Sequence, residues 1–153
     1  MLRTGIENVF KHFKTVGGEG IQVSNLMAVK YRYLGQYTGE EIIQEINSME
    51  QEGILIANDR FIMLTNIGEE SIYGTFDINH GVNELMGIFQ QFHVGRNQSL
   101  PIGSLLAVKH ESLSPQTNKY LKDVLTEAEN RGYITEGQNN SILLTDAGFE
   151  YLN

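Results

Sequence analysis

Residues 23–30 read Val-Ser-Asn-Leu-Met-Ala-Val-Lys, and residues 102–109 read Ile-Gly-Ser-Leu-Leu-Ala-Val-Lys. The two stretches lie 79 residues apart, and at that shift eight of the 35 positions from 23 to 57 are identical. At a shift of 80, Leu-Thr-Asn-Ile-Gly at 64–68 matches Leu-Thr-Asp-Ala-Gly at 144–148. Collinear matches of this length indicate an internal repeat, and they predict two units of similar structure in the chain of 153 residues.

The match also extends upstream. A shift of 76 aligns the apolar stripe that contains Gly5 and Phe13 with the one that contains Gly81 and Phe89. This shift implies an insertion of three residues in the following loop, where insertions are tolerated. We therefore expect one repeat at 1–74, a short linker at 75–79 and a second repeat at 80–153.

Each repeat predicts the same order of elements: helix, short strand, helix, turn, helix and β-hairpin. In the first repeat, Thr38-Gly-Glu-Glu41 reads as a capping box that starts the third helix. That helix carries Ile42, Ile46 and Met49 on its inner face, and it stops at a glycine, Gly53. In the second repeat we expect helices at 82–93, 104–113 and 117–131, and a hairpin at 133–144. The predicted class is α+β, mainly α.

This order of elements resembles the winged helix-turn-helix domain, in two tandem copies with three helices and a β-hairpin wing each. The motifs that carry the resemblance are Leu26-x-Ala28, the cap at Thr38, Gly53-Ile-Leu and Leu64-Thr65-x-x-Gly68, together with their counterparts at 105–107, 117, 132–134 and 144–148. The last motif resembles the ending that is common in bacterial winged-helix regulators. The resemblance implies DNA binding, with the third helix in the major groove and the wing on the backbone.

The charge of the first repeat argues against that use of its third helix. The chain has 11 Lys and Arg against 19 Asp and Glu, a net charge of −8. Six basic and ten acidic residues fall in 1–76, and five and nine in 77–153, so each half carries −4. The third helix of the first repeat has no Lys or Arg, and Glu40, Glu41 and Glu45 occupy its first half. A helix of this composition repels phosphates. The alternative is an ordinary solvent-exposed helix, in which acidic side chains stabilise the N-terminus.

The second repeat offers a local basic patch. Asn118, Lys119 and Lys122 lie near the start of its third helix, and Lys109 ends the helix before. Asn and Lys side chains can reach base edges or phosphates, and Arg60 in the first wing is a further candidate for phosphate contact. The alternative is an ordinary exposed helix surface.

A second set of residues points to a protein partner. Tyr31, Arg32 and Tyr37 surround the end of the second helix of the first repeat, and Phe76 lies in the linker. With the three acids of the third helix, they are candidate anchors of a protein interface, because exposed aromatic and Arg side chains dominate such interfaces. The alternative is that the aromatic rings pack and that the charged groups are solvated.

The residues favour a protein that is not an enzyme and has no cofactor. There is no cysteine, the four histidines lack metal-ligand spacing, and no phosphate loop or nucleophile elbow is present. We expect a regulator that contacts DNA through the second repeat or, alternatively, an acidic protein-interaction adaptor that does not bind DNA; both uses are compatible, and a homodimer stays open. The polar N-terminus and short apolar runs favour a cytoplasmic protein without a membrane partner.

Overall fold

The computed structural model describes all residues from 1 to 153. The chain divides into two compact units, Met1–Thr75 (unit 1) and Phe76–Asn153 (unit 2). Both units are mainly helical, and each contains one three-stranded sheet, so the α+β class is confirmed. The division falls inside the predicted linker, and a helix already begins at Ile78.

Unit 1 contains four helices and three strands. In chain order they are α1 (Leu2–His12), β1 (Gly20–Gln22), α2 (Val23–Leu34), α3 (Gly39–Gln51), β2 (Leu55–Ala57), β3 (Phe61–Leu64) and α4 (Asn66–Tyr73). The sheet is antiparallel in the order β1-β3-β2, with Ile21 opposite Ile62 and Leu55 opposite Leu64. These four side chains face inward, and they join the buried faces of the helices in one core.

The capping box predicted at the start of α3 is confirmed. The backbone amide of Glu41 donates to Thr38 Oγ1 at 3.2 Å, and the amide of Thr38 donates to Glu41 Oε1 at 3.0 Å. The predicted end of α3 is confirmed too, because Gly53 has a φ of +77°. The β2–β3 hairpin turns tightly between Asn58 and Phe61, where the amide of Asn58 donates to the carbonyl of Phe61 at 3.0 Å.

The Leu-Thr-x-x-Gly motif joins the hairpin to α4. Thr65 Oγ1 accepts from the amide of Gly68 at 3.0 Å, and it lies 2.9 Å from the carbonyl oxygen of Ile54. A Cβ on Gly68 would overlap that same carbonyl, and it would lie 2.7 Å from Leu64 Cδ1. The motif therefore requires glycine, because the backbone between α3 and β2 packs directly on the first turn of α4.

Unit 2 contains five helices and three strands. In chain order they are α5 (Ile78–Gln91), β4 (Ser99–Pro101), α6 (Ile102–Ser112), α7 (Pro115–Lys119), α8 (Leu121–Asn130), β5 (Ile134–Glu136), β6 (Ser141–Leu144) and α9 (Asp146–Leu152). Its antiparallel sheet has the order β4-β6-β5, which is the order of the unit 1 sheet. The apolar faces of its helices and strands form a second core.

The prediction of a single helix at 117–131 is wrong, because the structure has two helices in this region, α7 and α8, which meet at Tyr120. Ser114 caps α7, and Pro115 occupies its first turn. Thr117, the predicted cap of the third helix, is fully buried and donates from Oγ1 to Glu84 at 2.7 Å. Glu84 also accepts from the amide and the hydroxyl of Ser114 at 2.7 and 2.8 Å. This carboxylate holds α7 against α5 and starts the helix three residues early.

The predicted insertion of three residues after the first helix is also wrong. Lys14 and His93 follow the two first helices with φ values of +54° and +55°. The amide of Thr15 donates to the carbonyl of Phe10 at 3.0 Å, and the amide of Val94 donates to that of Phe89 at 3.0 Å. Phe10 therefore corresponds to Phe89, so the shift of 79 already applies here. A three-residue shift is close to one helical turn, so both registers align apolar with apolar positions.

Candidate functional site: an apolar groove beside the third helix

Unit 1 contains a groove between α2, α3 and the β2–β3 hairpin, with a volume of about 530 Å³. We call it the unit 1 groove. Its floor is formed by core side chains, among them Leu26, Ile42 and Ile46. One face of α3 lies along the groove, because the α3 residues that line it follow helical spacing. They are Gly39, Ile43, Ile46, Asn47 and Glu50.

Two large apolar side chains lie on the rim and face solvent. Met27 on α2 is 55% exposed, and Ile43 on α3 is 60% exposed. Each follows a buried residue in the chain, Leu26 and Ile42, so it lies outside the core but still beside the groove. Apolar side chains that line one concave surface are typical of binding sites for other molecules.

The charged residues of the groove are mostly acidic. Glu50, Asp59 and Lys30 line it, and Glu40 lies on the same face of α3 as Asn47 by helical spacing. Glu50 Oε2 accepts from the amide of Ala57 at 3.1 Å, which ties α3 to the hairpin. The groove thus combines an apolar floor with a rim of net negative charge, and it suits an apolar ligand that carries positive charge.

The predicted acidic residues of α3 differ in their roles. Glu40 and Glu41 are exposed in the first turn, where Glu41 forms the capping box. Glu45 is partly buried, and Arg3 Nε donates to its Oε1 at 2.6 Å. Arg3 also donates to Glu52, which lowers the pKa of that carboxyl, while the two acids raise the pKa of Arg3. The pairs join α1 to the outer side of α3, so Glu45 belongs to the packing of these helices.

The predicted aromatic anchors do not form one cluster. Tyr31 is 83% exposed on α2, and Arg32 beside it is exposed with its guanidinium 5.3 Å from the ring centroid of Tyr33. Tyr37 is partly buried against the core of unit 1. Phe76 is partly buried in unit 2, where its ring stacks on Tyr120 at 4.7 Å. Tyr31 and Arg32 therefore remain on the surface, whereas Tyr37 and Phe76 pack.

The predicted DNA-contacting residues of unit 2 are largely engaged in the fold. Asn118 Nδ2 donates to the carbonyl of Lys109 at 2.9 Å, which joins α7 to α6. Lys119 is partly buried, with its Nζ 5.2 Å from the ring centroid of Tyr120. Lys122 is exposed on the first turn of α8, and the side chain of Lys109 is partly buried. The structure thus brings Asn118 into contact with the backbone carbonyl of Lys109. Lys122 is the basic residue of this set that faces outward.

Other basic residues are paired with acids. Arg96 forms an ion pair with Glu150, and Arg131 donates from Nε to Glu127 at 2.8 Å. These contacts raise the pKa of both arginines, chiefly through the hydrogen bonds to the two carboxylates. Arg60 is exposed in the β2–β3 turn, where its amide donates to Asn58 Oδ1 at 2.8 Å. The positive charge of the chain is thus dispersed and partly neutralised locally.

The sequence contains a signal for the groove in its pairs of adjacent apolar residues. Met27 follows Leu26, and Ile43 follows Ile42, so two large apolar residues are adjacent on each helix. Neighbours in a helix point about 100° apart, so one member of each pair faces away from a narrow core stripe. Outward-facing apolar residues on two neighbouring helices are typical of a binding surface.

Neither family models, curated proteins nor solved structures match this chain. The structure contains no group of three or more His, Asp or Glu side chains arranged to hold a metal ion. No helix combines the length and the apolar character that crossing a bilayer requires.

Proposed function

We propose that the chain is a non-enzymatic interaction protein built from two winged-helix domains, and that unit 1 binds a segment of a partner protein in its groove. The support for the domain type is the order of helix, strand, helices and hairpin in both units, with two helices between the strand and the hairpin in unit 1, three in unit 2, and the same strand order in both sheets. The observation that carries the binding role is the open apolar groove beside α3, with Met27 and Ile43 exposed on its rim.

The charge of the groove indicates which kind of partner segment binds there. Glu50 and Asp59 line it, and Glu40 extends the negative surface toward the start of α3. A helical segment with apolar side chains on one face and Lys or Arg beside them complements this surface, in the manner of helix-in-groove recognition. Met27 adds an adaptable contact, because the flexible thioether fits apolar partners of different shape.

The same surface is a poor DNA site. A winged-helix domain that reads DNA presents its third helix to the major groove, and phosphate contact requires cationic or donor groups there. The outer face of α3 presents Glu40, Ile43 and Glu50 instead. Carboxylates repel phosphates, and an exposed isoleucine cannot replace an Arg or Lys contact.

A second candidate function is DNA binding through unit 2. Lys122 is exposed on α8, at the position that corresponds to Ile43 in unit 1. It is a single cation close to Asp123, so any contact would be weak and strongly dependent on salt. This candidate stands beside the first, because the two use different units.

The chain lacks tryptophan, which makes a direct binding assay available. The probe is a synthetic amphipathic peptide of about 15 residues, long enough to form a helix on binding. It carries Leu and one Trp on its apolar face and Lys beside them. We expect saturable binding, seen as a blue shift of the peptide tryptophan. The double variant Met27→Ser, Ile43→Ser should bind the peptide at least about tenfold more weakly. Full burial of a large apolar side chain contributes about 1.5–3 kcal/mol of free energy, and each of these rim side chains gains part of that amount when the peptide covers it.

The matched control is Ile67→Ser, which removes a 62% exposed isoleucine on α4 outside the groove. It should leave peptide affinity unchanged. A control peptide with Glu in place of Lys should bind far more weakly. Absence of a blue shift with the wild-type chain, or equal losses in the double variant and the control, would refute the proposal. A labelled DNA duplex at low salt tests the second candidate, which requires binding that Lys122→Gln weakens.

A further inference from the structure

Unit 2 contains a groove at the position that corresponds to the unit 1 groove. It lies between α6, α8 and the β5–β6 hairpin and has a volume of about 330 Å³. We call it the unit 2 groove. Its floor uses the same positions as the unit 1 groove, at the shift of 79 residues. The matched floor pairs are Leu26 with Leu105, Ile42 with Leu121, and Ile46 with Leu125.

The apolar rim is also repeated. Leu106 occupies the position of Met27, lines the unit 2 groove and is 49% exposed, against 55% for Met27. A core requires the floor residues in both units, but packing does not require a large apolar side chain at an exposed position. Its retention in both copies therefore indicates a shared use of this surface.

The acidic rim is repeated as well. Glu129 lines the unit 2 groove at the position that corresponds to Glu50 in the unit 1 groove, and both side chains are exposed. Each groove also has a second carboxylate from its hairpin, Asp59 in unit 1 and Glu136 in unit 2. The two grooves thus share an apolar floor, one exposed apolar rim residue and two acidic groups, although most other positions of the repeats differ.

We propose that the unit 2 groove is a second binding site for the same class of ligand, a helical protein segment with one apolar face flanked by Lys or Arg. This inference rests on the proposed function of unit 1. Charge complementarity selects the ligand, because both rims are acidic and both floors are apolar. One chain then binds two such segments, and a partner that carries two copies gains avidity from the covalent link between the units.

The unit 2 groove binds this ligand more weakly. It is smaller, and the position of Ile43, which lines the unit 1 groove, is occupied in unit 2 by the exposed Lys122, which does not line the unit 2 groove. The replacement removes an apolar contact and adds a charge that repels a basic ligand. The affinity of the second site is therefore lower by about tenfold or more.

The test uses the full chain and the same tryptophan-bearing peptide, with calorimetry for stoichiometry and amide chemical shifts to locate each site. We expect two peptides per chain, the first shifting amides of α2 and α3, the second those of α6 and α8. Leu106→Ser should abolish the weaker event only. Lys122→Ile, which restores the residue of unit 1 at an exposed position, should tighten that event about tenfold. Ala147→Ser, at the exposed position that matches Ile67, is the control.

The outcomes separate this inference from the function on which it rests. One peptide per chain, with shifts confined to unit 1 and no gain from Lys122→Ile, overturns the second site and leaves the proposed function standing. Absence of peptide binding at both grooves overturns both. A second event that Leu106→Ser and Lys122→Ile leave unchanged also overturns the inference, because the peptide then binds elsewhere.

Discussion

Substitution of Gly148 by alanine tests why both repeats end in Leu-Thr-x-x-Gly. Gly148 lies in the first turn of α9, and an added Cβ would overlap the carbonyl oxygen of Tyr133 and lie 2.7 Å from Leu144 Cδ1. The carbonyl cannot move freely, because it accepts from the amide of Thr145 at 3.1 Å and lies 2.9 Å from Thr145 Oγ1. Relief of the overlap therefore has to displace α9 from the end of α8 and the start of β5.

The expected cost follows from these contacts. Overpacking of a tight site costs about 1–3 kcal/mol, and weakening of two hydrogen bonds adds about 1 kcal/mol. We expect Gly148→Ala to lower the free energy of unfolding of unit 2 by about 3 kcal/mol. For a unit of this size, that loss lowers the Tm by about 12–24 °C.

The control is the same substitution at Gly87, in the middle of α5. Gly87 is exposed, and an added Cβ there would meet nothing within 4 Å. Gly87→Ala should therefore stabilise unit 2 by about 0.5–1 kcal/mol, because alanine loses less backbone entropy in a helix. Thermal unfolding followed by circular dichroism measures both changes, and amide hydrogen exchange assigns them to unit 2. A Gly148→Ala variant within about 0.5 kcal/mol of the wild type would show that α9 yields easily, and the close-approach argument would fail.

Three further predictions concern unit 1. Arg3→Gln should raise the pKa of Glu52 toward its ordinary value, seen by NMR titration, since the hydrogen bond from Arg3 holds that pKa down; an unchanged titration would contradict the contact. Because the folded-state pKa is lowered, the stability from this pair is present above the ordinary pKa of Glu and is lost as the pH falls through the lowered value. Burial, with nearby carboxylates, raises the pKa of Tyr73 to about 12, so its contribution to stability is lost between about pH 10 and about pH 12. Tyr73→Phe, which removes the donation to the carbonyl of Thr15 at 2.8 Å, should lower stability by about 1 kcal/mol in urea unfolding and remove that alkaline loss; a persistent loss would point to another group. Thr38→Ala removes the capping box and should cost about 1 kcal/mol, measured the same way, whereas Thr38→Ser should cost much less; equal losses would argue against the cap.

Local features of the fold could be predicted from the sequence because neighbouring residues specify them. The capping box at Thr38 and the glycine end of α3 each depend on residues within a few positions. The repeat itself is visible because the same local signals recur at a constant spacing. These features were predicted and then found.

The register of the first helices and the break at Tyr120 could not be predicted in this way. Two apolar stripes three residues apart look alike, so only the hydrogen bonds at the helix ends distinguish them. α7, the helix before the break, is held at its start by Glu84, which lies 30 residues before Ser114 in the chain and accepts from its amide and hydroxyl. Periodicity carries no information about such a contact.

The sequence by itself determined the duplication, the order of elements in the first repeat and the acidic balance of each repeat, because these depend on composition and on contacts between near neighbours. Only the tertiary structure decided which apolar residues stay exposed. Met27 and Ile43 belong to helices with apolar stripes, and whether such a residue is buried depends on what a third element covers. Leu26 and Ile42 are buried in the core of unit 1, whereas the next residue on each helix stays exposed, and these side chains line a groove together with the hairpin.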